Sequence, residues 1–415
     1  MSERAPLLSL DDALQRLLAV AAQHSIGEAQ AIDTFDALGR VLAEDVRSAL
    51  DVPPADNSSM DGYALRAADV ERPGAVLPVS QRIAAGGVGH TLERGTAARI
   101  FTGAQLPPGA DSVVMQEDCV ALPGDDLGSV RIDKMPAQGD RVRRRGEDVQ
   151  NGATVLQRGA RLTPQALGLA ASVGAARLQV VRRPRVALMS TGDELVMPGQ
   201  PLKPGAIYNS NRFMLRALLQ ASGCDATDLG IVPDSLQATR DALRSAAAGH
   251  DLIISTGGVS VGEEDHLRPA VQAEGRLDLW QIAIKPGKPL AFGEIASTTG
   301  HPALFIGLPG NPVSSFVTFL LVVAPLLKTL QGADARMPAA LPLRADFDWP
   351  APDKRREFLR VRLNDGGGLD LYGNQSSGVL TSTVWADGLV DNPPGQPIRR
   401  GDTVAFLPLA QLIAR

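Results

Sequence analysis

Between residues 185 and about 330, short apolar runs alternate with amphipathic stretches, and this alternation limits the fold more than any other feature of the chain. An apolar run over 186–189 ends in Ser190-Thr191-Gly192-Asp193-Glu194. Residues 209–222 then show helical spacing and close on Gly223, and a β-type run reaches Ile231 and Val232. A second helical stretch, 235–248, closes on Gly249, and further strands are expected at 252–254, 280–284 and 303–308. Strands that alternate with helices predict a mainly parallel sheet covered on both faces. In such a sheet ligands lie outside the carboxyl ends of the strands.

The residues just beyond those strand ends are therefore informative. The run at 252–254 passes straight into Ser255, Thr256, Gly257 and Gly258. Glycine lets backbone N–H groups approach a ligand, and phosphates favour such amide cradles. Glu263, Glu264 and Asp265 place three carboxylates beside this loop, and a phosphate tolerates them best across a divalent cation such as Mg²⁺. A strand, a glycine turn and a solvated acidic helix start explain this stretch equally well. The echo at 190–194, Ser-Thr-Gly followed by acids, tips the balance toward a ligand rim. Asp234 follows another strand end, although Asp234 with Gln237 also reads as a capping box. Lys285-Pro286-Gly287-Lys288-Pro289 holds two cations among rigid neighbours, which makes an anionic partner plausible. In Gly307-Leu308-Pro309-Gly310-Asn311-Pro312, Asn311 suits a helix cap and Pro312 the first turn, so amides of that helix would face the same rim. The apolar run at 313–327 is read as a buried helix.

The flanks read differently. Residues 9–22 predict an amphipathic helix capped by Ser9, packing on a second helix at 28–38. Asp61-Gly62 suits a tight turn, and from 76 to 142 short β-type runs alternate with glycine turns, Thr102 lying in one connection. The basic cluster at 141–148, which includes Asp148, reads either as a solvated face or as an anion grip. Thr163 and Pro164 start a helix that Gly174 ends. Beyond 338 the pattern is β again, with Trp385 and Phe406 as its expected core. The expected fold is a multidomain α/β protein with all-β domains. A helical N-terminal domain is formed by 1–50 with 147–182, a β-rich domain at 51–146 is inserted in it, a three-layer α/β domain occupies 183–332, and a β-barrel occupies 338–415.

A formal net charge of −5 offers no global basic field for nucleic acid. Two distant cysteines and five scattered histidines argue against a disulfide framework or a structural zinc site. Asp11 and Asp12 interrupt the region where a secretory signal would be apolar, so a cytoplasmic location without membrane attachment is expected.

Taken together, SSMDGYA (58–64), FTGAQLPPGADSVV (101–114), GEDVQNG (146–152), STGDEL (190–195), YNSN (208–211), STGGVSVGEED (255–265), KPGKP (285–289) and GLPGNPVSSF (307–316) form an ordered set. This set resembles the molybdopterin molybdenumtransferase family, the MoeA-type enzymes related to the gephyrin E domain. GNQSSG (373–378) is a looser match. The resemblance implies that the α/β domain binds molybdopterin and that the enzyme places molybdenum from molybdate on adenylated molybdopterin, releasing AMP with Mg²⁺ required. It assigns pterin and phosphate binding to Ser255, Thr256, Gly257, Gly258, Ser260 and Gly262, with Pro309 beside them. It assigns the acids around Mg²⁺ and the scissile phosphate to Glu194, Asp234 and Asp265. Lys285 and Lys288 would hold molybdate with Arg355 and Ser377. Asp61, Thr102 and Asp148 would be catalytic residues reaching in from the other subunit of a homodimer. Two alternatives stay open: the preceding adenylyltransferase step, whose enzyme would otherwise be an upstream partner, and a non-catalytic pterin-binding scaffold.

Overall fold

In the computed structural model, which describes residues 7–258, 266–298 and 300–413, helix α1 (Leu10–Gln23) begins where the Ser9 hydroxyl accepts the Asp12 N–H at 3.0 Å. Its buried face, Leu10, Ala13, Leu17 and Ala21, joins the apolar core of the central sheet. The helix expected at 28–38 is not formed. Ala29–Asp33 is a strand paired antiparallel with Arg177–Val181, followed by a single 3-10 turn at Thr34–Asp36. Helical propensity is a weak preference that tertiary pairing overrides. Phe35, in that turn, is 91% exposed. Residues 147–182 return to this region, where Thr154–Leu156 pairs with Val46–Arg47 and a helix over Pro164–Ser172 is capped by the Thr163 hydroxyl.

The central sheet contains β1 (Arg185–Thr191), β2 (Asp225–Val232), β3 (Leu252–Thr256), β4 (Gly275–Gln281), β5 (Pro289–Ile295) and β6 (Ala303–Leu308), in the order β2-β1-β3-β6-β5-β4. Strands β2, β1, β3 and β6 are parallel, so their carboxyl ends share one rim. Strand β5 runs antiparallel to β6 and therefore starts at that rim. This reversal delivers residues 285–288 to the place where the parallel strands end. Helices α2 (Ser210–Ala221), α3 (Leu236–Ala247) and α4 (Leu267–Glu274) cover the sheet with a last helix, α5 (Pro312–Leu330). Helix α5 is long and apolar enough to cross a membrane, yet 89% of its apolar window is buried inside the protein. Its turn widens to π type over Phe319–Val323, just ahead of Pro325. Proline cannot donate to the carbonyl one turn back and crowds it, so the wider turn relieves the clash. Just before β1, Arg182 grips Asp251 with two hydrogen bonds (2.7 and 2.8 Å) and Glu28 with a third (2.6 Å).

Two further β assemblies flank this core. A six-stranded sheet is built from residues 62–132, with Tyr63, Leu65, Val114 and Val130 buried in it. At the other end β7 (Arg356–Leu363) pairs with Gly388–Asn392, which pairs in turn with Thr403–Pro408 and so with Leu341–Arg344. A bridge between Ala345 and Leu369 returns to the strand beside β7 and closes this sheet on itself. The chain is thus a multidomain α/β protein with separate β-rich parts. Phe406 lies in the core of the last part, as its sequence suggests. Trp385 does not: it is half-buried on the flank, edge-on to Tyr372 and beneath the Arg362 guanidinium.

Candidate functional site

The shared rim opens into a cleft of about 740 Å³ between the α/β part and the C-terminal sheet. Gly257, at the end of β3, has φ +90°, and a Cβ there would stand 2.5 Å from the Thr191 carbonyl oxygen. Only glycine lets the β1 and β3 ends approach this closely. The backbone of Gly257 and Gly258 therefore faces the cleft beside Thr191. Around it the hydroxyls of Ser190, Thr191 and Ser255 are buried without hydrogen-bond partners among the described residues. Leaving a buried hydroxyl unpaired costs roughly 1–3 kcal/mol. Of the three, Thr191 lines the cleft, where an unpaired hydroxyl suits a polar ligand. Thr256 is instead satisfied: Asn211 donates to its hydroxyl at 2.9 Å and to the Gly310 carbonyl at 2.7 Å. This amide ties the β3 end to the loop before α5. Pro309 lines the cleft and its carbonyl accepts the Ser315 hydroxyl.

Glu194 and Asp234 are exposed and line the same cleft. Asp234 does not cap α3. Ser235 does, accepting the Ala238 N–H at 3.3 Å. The adjacent serine fits the cap, which leaves the Asp234 carboxylate to the rim. Ser260, Gly262 and Asp265, with Glu263 and Glu264, lie outside the described residues.

The cationic wall is built by two parts of the chain. Ile284–Lys285 runs parallel to the start of β7, which brings Lys285 beside Arg355. Lys285 is not short of anionic partners: it pairs with Glu357 at 3.2 Å and Asp353 at 3.5 Å. Glu357 is fully buried and also accepts the Trp349 indole N–H at 2.8 Å. Arg355 donates to Asp353 at 2.8 and 3.0 Å, and these bonds hold the Asp353 carboxyl well below the usual carboxylate range. Lys288, half-buried, has no carboxylate partner among the described residues. Ser377 lines the cleft too, but its carbonyl accepts the Val313 N–H at 3.0 Å, docking the C-terminal sheet on the first turn of α5. Asn311 stands at the cap position without using its side chain.

Asp61, Thr102 and Asp148 do not line this cleft. Asp61 and Thr102 meet each other: the Thr102 N–H and hydroxyl both donate to Asp61 Oδ1, at 2.8 and 2.7 Å. The backbone N–H first and the hydroxyl second lower the Asp61 pKa. Gly62 is no turn residue; it opens a strand, and a Cβ there would lie 1.9 Å from the Val114 carbonyl oxygen. Asp148 is exposed, its N–H bonded to the Val52 carbonyl. In the neighbouring basic cluster, Arg144 pairs with Asp56 and Arg145 with Asp51, so these two arginines serve local structure.

Several residues in or behind the cleft are hard to find in the sequence. Thr191 is visible there only as part of the Ser-Thr-Gly echo, and its burial is what distinguishes it. Gln375 and Ser376 carry no signal beyond the loosely matching GNQSSG, and Asp353 and Glu357 none at all.

A central α/β domain whose rim offers amides, hydroxyls, cations and carboxylates defines a binding domain for polar, anionic ligands. Residues 187–329 match the family model described as a probable molybdopterin binding domain, 8–174 that of the MoeA N-terminal region (domains I and II), and 342–409 that of the MoeA C-terminal region (domain IV). The chain is 41% identical to the molybdopterin molybdenumtransferase of Haemophilus influenzae, over 98% of this chain and 100% of that one. It is 34% identical to the Bacillus subtilis protein of the same name, over 98% and 95%. The crystal structure of the molybdopterin biosynthesis protein moeA from Pyrococcus horikoshii superposes with a TM-score of 0.81 at 27% identity, covering 97% of this chain and 99% of that one. The chain belongs to the MoeA family of molybdopterin molybdenumtransferases and is a transferase.

Proposed function

We propose that this protein transfers molybdenum from molybdate to adenylated molybdopterin and releases AMP, with Mg²⁺ bound at the acidic side of the cleft. The observation that carries this reading is the juxtaposition in one cleft of the Gly257–Gly258 backbone, three cations (Lys285, Lys288, Arg355) and two carboxylates (Glu194, Asp234). The carboxylate donors at Glu194 and Asp234 are hard oxygen ligands of the kind Mg²⁺ takes in ones and twos beside a substrate phosphate. Asp265 would be the third acid by family likeness. When bound, Mg²⁺ would neutralise charge on the phosphoanhydride. The Gly257 and Gly258 amides, with the Thr191 and Ser255 hydroxyls, would hold the phosphates. Lys285, Lys288, Arg355 and Ser377 would hold molybdate at the other end. An oxygen of molybdate so held attacks the adenylyl phosphorus. The bond from that phosphorus to the bridging oxygen breaks, the molybdopterin phosphate leaves with the electron pair, and the molybdate is left as its adenylyl anhydride. The two dithiolene sulfurs then bond to molybdenum. Its bond to the adenylyl oxygen breaks, AMP leaves with that electron pair, and a second oxygen departs as water with the two thiol protons. Lysine and arginine charge stabilises the oxygens on which charge develops.

Asp61, Thr102 and Asp148 would act from a second copy of the chain in a homodimer, which accords with their position away from the cleft of their own chain. A cytoplasmic enzyme receiving its substrate from the adenylating enzyme upstream fits this reaction. The test is AMP release from adenylated molybdopterin with Mg²⁺, with and without molybdate. Release that rises steeply with molybdate, and that falls at least about 100-fold in Asp234→Asn, supports the reading. Release indifferent to molybdate counts against it, and conversion of ATP and molybdopterin to the adenylate would assign the preceding step.

A further inference from the structure

Arg360, in the middle of β7, is 1% exposed and is the bulkiest fully buried side chain among the described residues. No carboxylate lies within ion-pair distance of it among those residues. Its guanidinium donates to the Ser382 hydroxyl (3.2 Å), the Phe358 carbonyl (3.2 Å) and the Ser376 carbonyl (3.4 Å). Burial alone pulls its pKa down, to about 10. A guanidinium buried without a carboxylate is a standing cost to the fold. An apolar side chain would fill the same space without it, so the position of the charge calls for an explanation.

The contacts supply one. The Arg360 backbone N–H donates to Gln375 Oε1 at 2.9 Å, and the Arg360 carbonyl accepts Gln375 Nε2 at 3.0 Å. The side chain then reaches the carbonyl of the next residue, Ser376. One residue thus grips the 375–377 segment at two points, and all three residues of that segment line the cleft. The charges around them are nearly balanced. On this wall Lys285, Lys288 and Arg355 stand against Asp353 and Glu357, which leaves one net positive charge. Arg360 adds a second positive charge behind that wall, where little water screens it.

We propose that Arg360 is a positioning residue that fixes the 375–377 segment and, with its unpaired charge, sets the affinity of the cleft for a tetrahedral dianion such as molybdate. This inference rests on the function proposed above. It is tested with Arg360→Met, Arg360→Lys and Ser382→Ala, reading kcat, the KM for molybdate, the KM for adenylated molybdopterin, and thermal unfolding. Arg360→Met is expected to raise the molybdate KM about tenfold and to leave the adenylate KM within about twofold. Arg360→Lys, which keeps the charge but not the fork, should fall between Met and wild type. A folded Arg360→Met protein with an unchanged molybdate KM would overturn the inference. So would an equal rise in both KM values, which is what general loosening of the domain produces. Should the Met variant fail to fold, Ser382→Ala removes one contact at a residue outside the cleft, and a rise of about threefold in the molybdate KM is expected. An unchanged value there overturns the inference as well. If wild-type AMP release ignores molybdate, the functional reading fails by itself. Calorimetric titration of molybdate into wild type and Arg360→Met then decides the inference separately, and equal affinities defeat it.

Discussion

Two places in this molecule use the same ingredients, a carboxylate, a hydroxyl and a glycine, to opposite ends. At the rim of the α/β part, the Ser190, Thr191 and Ser255 hydroxyls are buried without partners among the described residues, and Glu194 and Asp234 line open space. In the β-rich part, Thr102 and Asp61 satisfy each other through two hydrogen bonds. The glycines differ in the same sense. Gly257 lets a cleft-facing loop form at φ +90°, whereas Gly62 lets two strands close up on Val114. Residue type therefore does not tell a hydroxyl left open within the chain from one already engaged; their partners do.

The sharpest way to break this contrast is to add one methyl group in each place. Gly257→Ala meets the Thr191 carbonyl at 2.5 Å and a backbone conformation that L-residues avoid. It should lower AMP release at least about 100-fold and destabilise the fold by roughly 1–3 kcal/mol. Gly62→Ala meets backbone at 1.9 Å, and its expected effect is a loss of about 2–4 kcal/mol in denaturant unfolding. Normal AMP release per folded molecule in Gly257→Ala would remove the loop from the site.

A smaller effect tests whether the two places meet across a dimer. Asp61→Asn and Asp234→Asn should each be nearly inactive when pure. Mixed under conditions that exchange subunits, they should recover about a quarter of wild-type activity. Half of the dimers are then mixed, and each holds one site with both carboxylates intact. No recovery means that each chain is self-sufficient, and Asp61 then belongs to the β-rich part alone.

How much of the fold and the cleft is legible in the sequence depends on the range of the interactions. The strand ends, the glycine loop and the caps at Ser9 and Thr163 are local, and they stand in the structure where the sequence puts them. The segment at 28–38 reads as a helix because its strand partner lies about 150 residues away, at 177–181. Asp234 looks like a cap that Ser235 in fact provides, a one-residue difference that spacing rules cannot resolve. Lys285 looks unpaired in sequence because Asp353 and Glu357 lie far along the chain and reach it only when Ile284–Lys285 pairs with β7. Arg360 is one arginine in an alternating strand, and nothing in that alternation announces a buried charge. The cleft acids and cations are legible as a family pattern; their pairing is a matter of tertiary structure.

The smallest expected effect concerns the self-satisfied pair, and its sign is set by the direction of the Asp61 shift. The Thr102 N–H, then its hydroxyl, hold the Asp61 carboxyl below its ordinary value. A carboxylate depressed in the folded state contributes stability above its unfolded pKa and loses it as pH falls through the folded value. Thr102→Val keeps the N–H and removes the hydroxyl, so it should raise the Asp61 pKa part of the way toward normal. The unfolding temperatures of wild type and variant should therefore differ slightly above pH about 4 and converge as both carboxyls become protonated below it. Side-chain NMR titration of Asp61 gives the shift directly. A gap in unfolding temperature that persists unchanged into acid, with no movement of the Asp61 titration, would mean that the Thr102 hydroxyl serves packing and not charge. The pair would then no longer mirror the open carboxylates of the rim.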